Sequence, residues 1–229
     1  MYELEFTFEY QSVDARDVLY TLDKLCPKIG LSTKDYSTAY QVKMIEAGGH
    51  LDLSGKLFTD IHGGSIANCG HDFLIIKSEG VTLSELVHFV ELVVAELPTT
   101  QAFIHNYDYY YWQNAEDPRL YEIAGKDHSF LPKKSNGLPP PLEQVVVDIS
   151  SNPGRYDLRD GYRETVSSPM WVSLSLVQNA VQLEEIATVS RFNGGNLIRI
   201  VTSYQPFDSA EGAQGELQRQ LRKAIYGRE

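Results

Sequence analysis

Cysteine is scarce in this chain of 229 residues, which has only Cys26 and Cys69. Two thiols do not make the disulfide framework by which small secreted domains replace a large core. A chain of this length can bury a sizeable apolar core without cross-links or metals. We therefore expect a globular protein of a reducing compartment, in which both cysteines are free and buried.

Long apolar runs are also missing. The longest one, around residues 86–97, is interrupted by His88, Glu91 and Glu96. A membrane-spanning helix needs about 18 or more consecutive apolar residues. Residues 1–10 lack the basic start and the apolar stretch of a secretory signal. These features predict cytoplasmic localisation and no membrane partner.

Positive charge is deficient, since 20 Lys and Arg stand against 31 Asp and Glu, a formal net charge of -11. A protein that neutralises phosphates needs a basic face, so we expect no nucleic-acid partner. The charge is unevenly spread: residues 1–131 carry 20 acidic and 9 basic side chains, whereas residues 132–229 carry 11 of each. The acidic first part has two explanations, which are solubility and attraction of a basic protein.

Hydrophobic patterning predicts an α+β fold with a mostly antiparallel sheet and about three helices packed on it. Residues 2–10 alternate as a strand with one wet face. Helices are predicted after an Asp14 cap, after a capping box of Thr82 and Glu85, and over residues 209–226. Further strands are expected at 40–58, 73–77, 101–113, 144–149, 170–177, 186–192 and 197–204, with a turn-rich stretch at 59–72.

A proline-rich segment lies near the middle of the chain. Residues 131–142 read LPKKSNGLPPPL, and a proline triplet favours an extended, stiff conformation. The segment coincides with the change in charge. We expect a single domain over residues 1–229, and we leave open a division into two subdomains, 1–131 (acidic) and 143–229 (charge-neutral), joined by residues 132–142.

Motifs for cofactor chemistry are absent, because no GxGxxG follows a strand and no Walker loop occurs. We predict no cofactor. Asn68-Cys69-Gly70-His71-Asp72 contains a nucleophile, a base and an orienting acid, although residues so close in sequence rarely face each other. His50, His62 and His71 offer zinc ligands, at spacings of twelve and nine residues that match no compact motif.

Three carboxylate pairs are candidates for general acid–base catalysis: Glu116 with Asp117, Asp157 with Asp160, and Glu184 with Glu185. Adjacent carboxylates are usually solvated, and isolated histidines usually belong to loops. We therefore predict that the protein is not an enzyme. A hydrolase-type enzyme with a Cys/His/Asp or a His–metal site stays as the alternative.

An aromatic and acidic run is the most distinctive feature. It comprises Tyr107, Asp108, Tyr109, Tyr110, Tyr111 and Trp112, followed by Glu116 and Asp117. Tyrosine and tryptophan dominate binding hot spots, and acidic side chains around them attract a basic partner. Read as a strand, neither face of the run is purely apolar. We predict that these eight residues bind a partner, the alternative being that the aromatic rings fill the core and rim of the sheet.

Together, the acidic first part, the aromatic run and β-rich segments such as Ser168-Pro169-Met170-Trp171-Val172-Ser173-Leu174 resemble bacterial immunity proteins of polymorphic or type VI toxin systems. Among these, the chain is most similar to those paired with restriction-endonuclease-like nuclease toxins. The resemblance implies a cytosolic α+β protein that binds and blocks one basic, nuclease-like toxin without catalysis. A third hypothesis is a scaffold protein of a phage or secretion apparatus, in which the tyrosines mediate self-association.

Overall fold

A computed structural model describes residues 1–25 and 58–228 of the chain. The strands predicted at 40–57, together with Cys26 and His50, lie outside the described residues. The described helices are α1 (Ala15–Leu25), α2 (Leu83–Glu96), α3 (Tyr107–Asn114), α4 (Pro118–Ile123), α5 (Ala180–Ile186) and α6 (Gly212–Tyr226). The described strands are β1 (Tyr2–Glu9), β2 (Phe58–Ile66), β3 (His71–Ser78), β4 (Thr99–Asn106), β5 (Lys133–Ser135), β6 (Val145–Val147), β7 (Asp157–Arg159), β8 (Tyr162–Glu164), β9 (Met170–Ser173), β10 (Thr188–Phe192) and β11 (Leu197–Val201).

Seven strands form one sheet in the order β10-β11-β9-β4-β1-β3-β2, and every neighbouring pair is antiparallel. The pairing of β4 with β9 joins strands from both sides of the proline-rich segment. Two short hairpins, β5–β6 and β7–β8, lie outside this sheet. The predicted α+β class with a mostly antiparallel sheet is confirmed.

One face of the sheet is covered by α1 and α2. The alternation of β1 directs Leu4, Phe6 and Phe8 into this layer, where each is at most 2% exposed. Complete burial of one such side chain stabilises the fold by about 1.5–3 kcal/mol. The helices contribute a matching set of buried side chains: Val18, Leu19, Leu22, Leu25, Leu86, Phe89, Val90, Val93 and Val94.

The opposite face of β1 is buried too, so the predicted wet face is wrong. Glu5 and Thr7 are both 0% exposed. Near β9 and β11 this face packs against α6 through apolar side chains that include Phe103, Met170 and Leu221. Near β1 it packs against β8, whose Arg163 forms an ion pair with Glu5. The alternation therefore reflects one apolar and one polar buried layer rather than one wet surface.

The capping predictions are confirmed by hydrogen bonds. Asp14 Oδ1 accepts the N–H groups of Arg16 (2.7 Å) and Asp17 (2.9 Å) at the start of α1. Thr82 and Glu85 form a complete capping box at the start of α2. The three expected long helices are present, and the short helices α3, α4 and α5 were missed because each is only six to eight residues long.

One loop prediction is wrong: the turn-rich stretch 59–72 contains β2, an edge strand among the described residues, where Gly63 and Gly64 pair with one described strand, β3. The proline-rich segment belongs to a largely exposed loop, because residues 136–144 connect β5 to β6. The Leu142 N–H donates to the Pro139 carbonyl (3.0 Å), so the chain turns here instead of staying extended.

Candidate functional site

The aromatic run is a helix and not the second half of a strand. Strand β4 ends at Asn106, whose side-chain oxygen accepts the N–H of Tyr109 (3.3 Å) and so caps α3. Asparagine is among the strongest N-cap residues, and here its capping overrides the β preference of the tyrosines that follow. The two alternating faces expected of a strand are therefore absent. In the helix, residues three and four positions apart lie side by side.

One face of α3 lines a groove of about 760 Å³, which we call the α3 groove. From the helix, Asp108, Tyr109, Trp112 and Gln113 line it. The other lining residues come from sequence positions on both sides of α3: Asn106, Tyr121, Lys126, Asp127, Phe130, Leu131, Pro132, Val147, Asp148, Asn152 and Asp208. This volume is within the range of ordinary ligand and peptide sites.

Aromatic rings are fixed in place in the α3 groove. The Trp112 Nε1–H donates to Asp108 Oδ1 (3.2 Å), one helical turn away. The Trp112 ring lies 4.8 Å from that of Tyr121, whose hydroxyl donates to the Ala115 carbonyl (3.0 Å). Lys126 Nζ stands over the Trp112 ring at 4.8 Å. Indole and phenol are thus pre-oriented, with their polar atoms already satisfied.

Negative charge dominates the rim. Among the described residues, four carboxylates line the α3 groove (Asp108, Asp127, Asp148 and Asp208), against one cation, Lys126. Backbone N–H groups of Ser129 and Ser150 donate to Asp127 (2.9 Å) and Asp148 (3.0 Å), and these bonds hold the pKa of both carboxyls below the usual range. An ionised carboxylate accepts up to about four hydrogen bonds, so acceptor capacity is left on each.

Helix α3 is anchored on the side of Tyr109 and Gln113. The Tyr109 hydroxyl donates to Gln218 Oε1 of α6 (2.9 Å), and burial raises the Tyr109 pKa to about 12. Gln113 Oε1 accepts the Gly154 N–H (3.1 Å). Gly154 fits closely, because a Cβ there would lie 2.8 Å from Gln113 Cγ. The groove wall is therefore held by loop 152–156 as well as by α6.

The other predicted binding residues lie elsewhere. Tyr110 is buried, so its place among the surface residues is corrected. Tyr107 and Tyr111 pack at 6.0 Å on another side of α3, with Lys77 over Tyr107. The remaining two, Glu116 and Asp117, engage Lys134 (3.1 Å) and Arg119 (3.2 Å). Of the eight predicted residues, the structure brings Asp108, Tyr109 and Trp112 together in the α3 groove.

Beneath α3 lies a buried ionic cluster. Arg163 Nη1 pairs with Glu5 Oε1 (2.7 Å), and the Tyr110 hydroxyl donates to Glu5 Oε2 (3.3 Å). The ring of His105 stacks on that of Tyr110 at 3.8 Å. Burial, reinforced by the positive charge of Arg163, lowers the His105 pKa to about 3. Burial alone would lower the pKa of Arg163. The nearby Glu5 carboxylate raises that pKa by more, so the net shift is upward.

The Cys/His/Asp candidate is not assembled as a triad. The His71 Nδ1 lies 3.1 Å from the carbonyl oxygen of Cys69 rather than its thiol. His71 and Asp72 are consecutive in β3, so their side chains point to opposite faces. Asp72 Oδ2 accepts the Gln11 N–H (2.8 Å).

Among residues 1–25 and 58–228, no group of three or more His, Cys, Asp or Glu side chains could hold a metal ion. His50 and the side chain of His62 are not among the described parts. Of the carboxylate pairs, Asp157 contacts Arg155 (3.4 Å) and Arg159 (3.6 Å), whereas Glu184 and Glu185 are exposed on α5.

Comparisons with known proteins add little. Neither protein-family models nor curated protein sequences give a match. Among solved structures, the chain is similar to the Pseudomonas aeruginosa type VI secretion system protein described as "T6SS protein PA0821", with a TM-score of 0.47 and 11% sequence identity, covering 98% of this chain and 73% of that one. None of the described helices is long and apolar enough to cross a lipid bilayer.

Proposed function

We propose that this protein is an immunity protein that binds and neutralises a cognate bacterial toxin, of the nuclease class, through the α3 groove. The observation that carries the proposal is the combination of pre-oriented Trp112 and Tyr109 with four carboxylates in one concave surface. Such a surface is complementary to a protein segment that carries arginine or lysine next to apolar side chains.

The charge of the groove selects against phosphate and for a basic protein. A nuclease toxin needs a basic surface for its substrate, and that surface fits the acidic rim. The partner's cationic side chain has a ready position over Trp112, where Lys126 now stands at 4.8 Å. Displacement of Lys126 by a guanidinium exchanges one cation–π contact for another, at little cost.

The first test identifies the partner and measures the contribution of Trp112. A tagged copy would capture its partner from the native host, and calorimetry would give the Kd. Trp112→Ala is expected to weaken binding about 30-fold or more, which corresponds to a hot-spot loss of about 2 kcal/mol. Tyr20→Ala is the control, because Tyr20 is an exposed aromatic residue of α1 that does not line the groove.

A second variant removes charge without removing volume. Asp127→Asn is expected to weaken binding and to flatten its salt dependence, since it deletes one rim carboxylate. Co-expression with the captured toxin then tests neutralisation directly through cell growth. An unchanged Kd in both folded variants, or capture of a partner whose toxicity is not relieved, would refute the proposal.

A further inference from the structure

Strand β10 ends the seven-stranded sheet on the side of β11, and no described strand lies beyond it. At the start of β11, the Asn196 carbonyl accepts the N–H of Leu174, next to β9 (2.9 Å). Hydrogen-bonded and non-bonded pairs alternate along an antiparallel ladder, so Arg199, three residues further on, directs its backbone groups towards β10. Its register partner Ser190 therefore bonds into the sheet.

The neighbours of Ser190 point the other way. The backbone N–H and C=O groups of Val189 and Arg191 face outward from the edge, where no described strand pairs with them. Exposed edges are commonly protected by shortness, lysine, proline or a bulge. Strand β5, for comparison, has three residues, of which Lys133 and Lys134 are two. Strand β10 has five residues without lysine or proline and an uninterrupted register with β11, so its outer edge can accept a further strand.

The surface beside this edge is exposed and belongs to the charge-neutral part of the chain. Thr188 and Ser190 are exposed, and together with Tyr204, which is 95% exposed, they line a hollow of about 400 Å³. Residues 132–229 carry 11 acidic and 11 basic side chains, whereas the excess of negative charge belongs to residues 1–131. Two copies that meet through β10 therefore do not bring their acidic parts together first.

We propose that β10 pairs with β10 of a second copy of this chain, antiparallel and about a twofold axis at Ser190. Val189 then faces Arg191 of the second copy, and the outward N–H and C=O groups of both residues are bonded. This register keeps the two Arg191 side chains from lying opposite each other, which would be unfavourable. It sets Phe192 of the second copy opposite Thr188, beside the hollow. The proposal does not depend on the function proposed for the α3 groove, because no residue of β10 lines that groove.

Sedimentation equilibrium of the full chain tests the dimer. We expect twice the mass of one chain, with a Kd below about 100 μM. Arg191→Pro removes an outward N–H, which an edge strand tolerates, and should raise the Kd at least about tenfold. Arg191→Val keeps that N–H and should stay within about threefold of the wild type. A wild-type chain that stays monomeric up to this concentration, or a folded Arg191→Pro that dimerises like the wild type, would overturn the proposal.

Cysteine cross-linking tests the register. A non-hydrogen-bonded pair has its Cα atoms about 4.5 Å apart, within the span of a disulfide, so Ser190→Cys should form a covalent dimer when oxidised glutathione is added. Thr188→Cys is the control, because Thr188 lies opposite Phe192 of the second copy and the two Thr188 residues are about 13 Å apart along the strands. Non-reducing electrophoresis measures both. Equal yields of covalent dimer from the two variants would contradict the proposed pairing.

Discussion

At the residue scale, the ion pair of Glu5 and Arg163 is a buried contact between two charged groups. Both side chains are buried, and their 2.7 Å contact joins the first strand to β8, which is distant in sequence. A buried pair contributes little compared with an apolar substitute, but removal of one partner leaves an uncompensated charge. Residues 1–131 and 132–229 are therefore tied together at this point.

Arg163→Met is expected to lower the free energy of unfolding by about 3–5 kcal/mol, because the Glu5 carboxylate stays buried without its partner. The double variant Glu5→Gln, Arg163→Met should recover most of that loss. Urea denaturation followed by circular dichroism measures both. Arg199→Met is the control, since Arg199 pairs with Glu91 at 3.1 Å near the surface and should cost less than about 1 kcal/mol. A double variant as unstable as the single one would contradict the argument.

His105 makes stability depend on acidity. Its pKa is about 3 in the folded protein and near 6.5 when unfolded, so below pH 6.5 the unfolded chain binds a proton that the folded chain does not. Stability should fall as the pH is lowered from about 6.5 towards 3, by up to about 1.4 kcal/mol per pH unit from this residue.

His105→Phe keeps the stacking on Tyr110 and removes the titration. Urea midpoints from pH 7 to pH 4 should therefore decline less steeply in the variant than in the wild type. Comparison of the two slopes separates His105 from carboxylates such as Glu164, whose pKa is lowered by Arg159 and Arg222 despite its burial. Parallel slopes would show that folding does not lower the pKa of His105.

At the element scale, α3 depends on Asn106, the residue that precedes it. Burial of Tyr110 and the contacts of Tyr109 stabilise α3. A segment of eight residues is too short to form a stable helix in isolation. The Asn106 cap satisfies one of the unpaired N–H groups at the start. The cap thus fixes where β4 ends and where the groove wall begins.

Asn106→Ala should reduce the free energy of unfolding by about 1 kcal/mol through loss of this cap. Asn106→Asp keeps an acceptor and should restore most of it. The near-ultraviolet circular dichroism signal of Trp112 reports on the order of α3 in the same samples. An Asp variant as destabilised as the Ala variant would mean that Asn106 acts by another contact.

The long elements and several short strands were predictable from sequence, since the strands expected at 144–149, 170–177, 186–192 and 197–204 contain β6, β9, β10 and β11. The short helices α3, α4 and α5 were not predictable. The periodicity of β1, the cap at Asp14 and the capping box at Thr82 placed β1, α1 and α2 correctly. The tyrosine run predicts a strand, because tyrosine favours strands. Asn106 can be recognised as a helix cap only once β4 is known to end there. The alternation of β1 predicts a solvent-exposed polar face, because the partner Arg163 that buries it lies far along the chain.

At the scale of the whole molecule, the sheet unites both parts of the chain. Strand β4 lies between β1 and β9, and α6 packs on the same face as Phe103. A division near residue 131 would break the pairing of β4 with β9 and separate α6 from Phe103. The change in charge near residue 131 is therefore a change in amino-acid composition. It does not coincide with a boundary of the sheet, which contains strands from both sides.

A fragment of residues 1–131 is expected to be unfolded, since β4 would lose β9 and Glu5 would lose Arg163. Circular dichroism and NMR dispersion measure this directly. The control is the full chain cut by a protease at a site introduced near Gly137 in the exposed β5–β6 connection, which should stay folded and associated. A folded fragment would establish two subdomains instead.

The candidate groove was predictable only where it is local in sequence. The aromatic run pointed to Tyr109, Trp112 and Asp108, three residues of one helix. Asp127, Phe130, Val147 and Asp208 were missed, because each is an ordinary residue in its own segment and becomes part of the groove only through tertiary contacts. The count of acidic residues shows which part of the chain carries the negative charge, but it does not predict where a concave surface forms.

The helical form of the aromatic run has a kinetic consequence. The aromatic side chains of this capped helix, held through Gln218 and Gly154, keep one orientation in the free protein, so the association proposed for the α3 groove requires no folding step. Under that proposal, encounter rates are set by the field of the acidic rim, and related partners should differ mainly in their dissociation rates. The proposed inhibitory function would gain most from such rapid association.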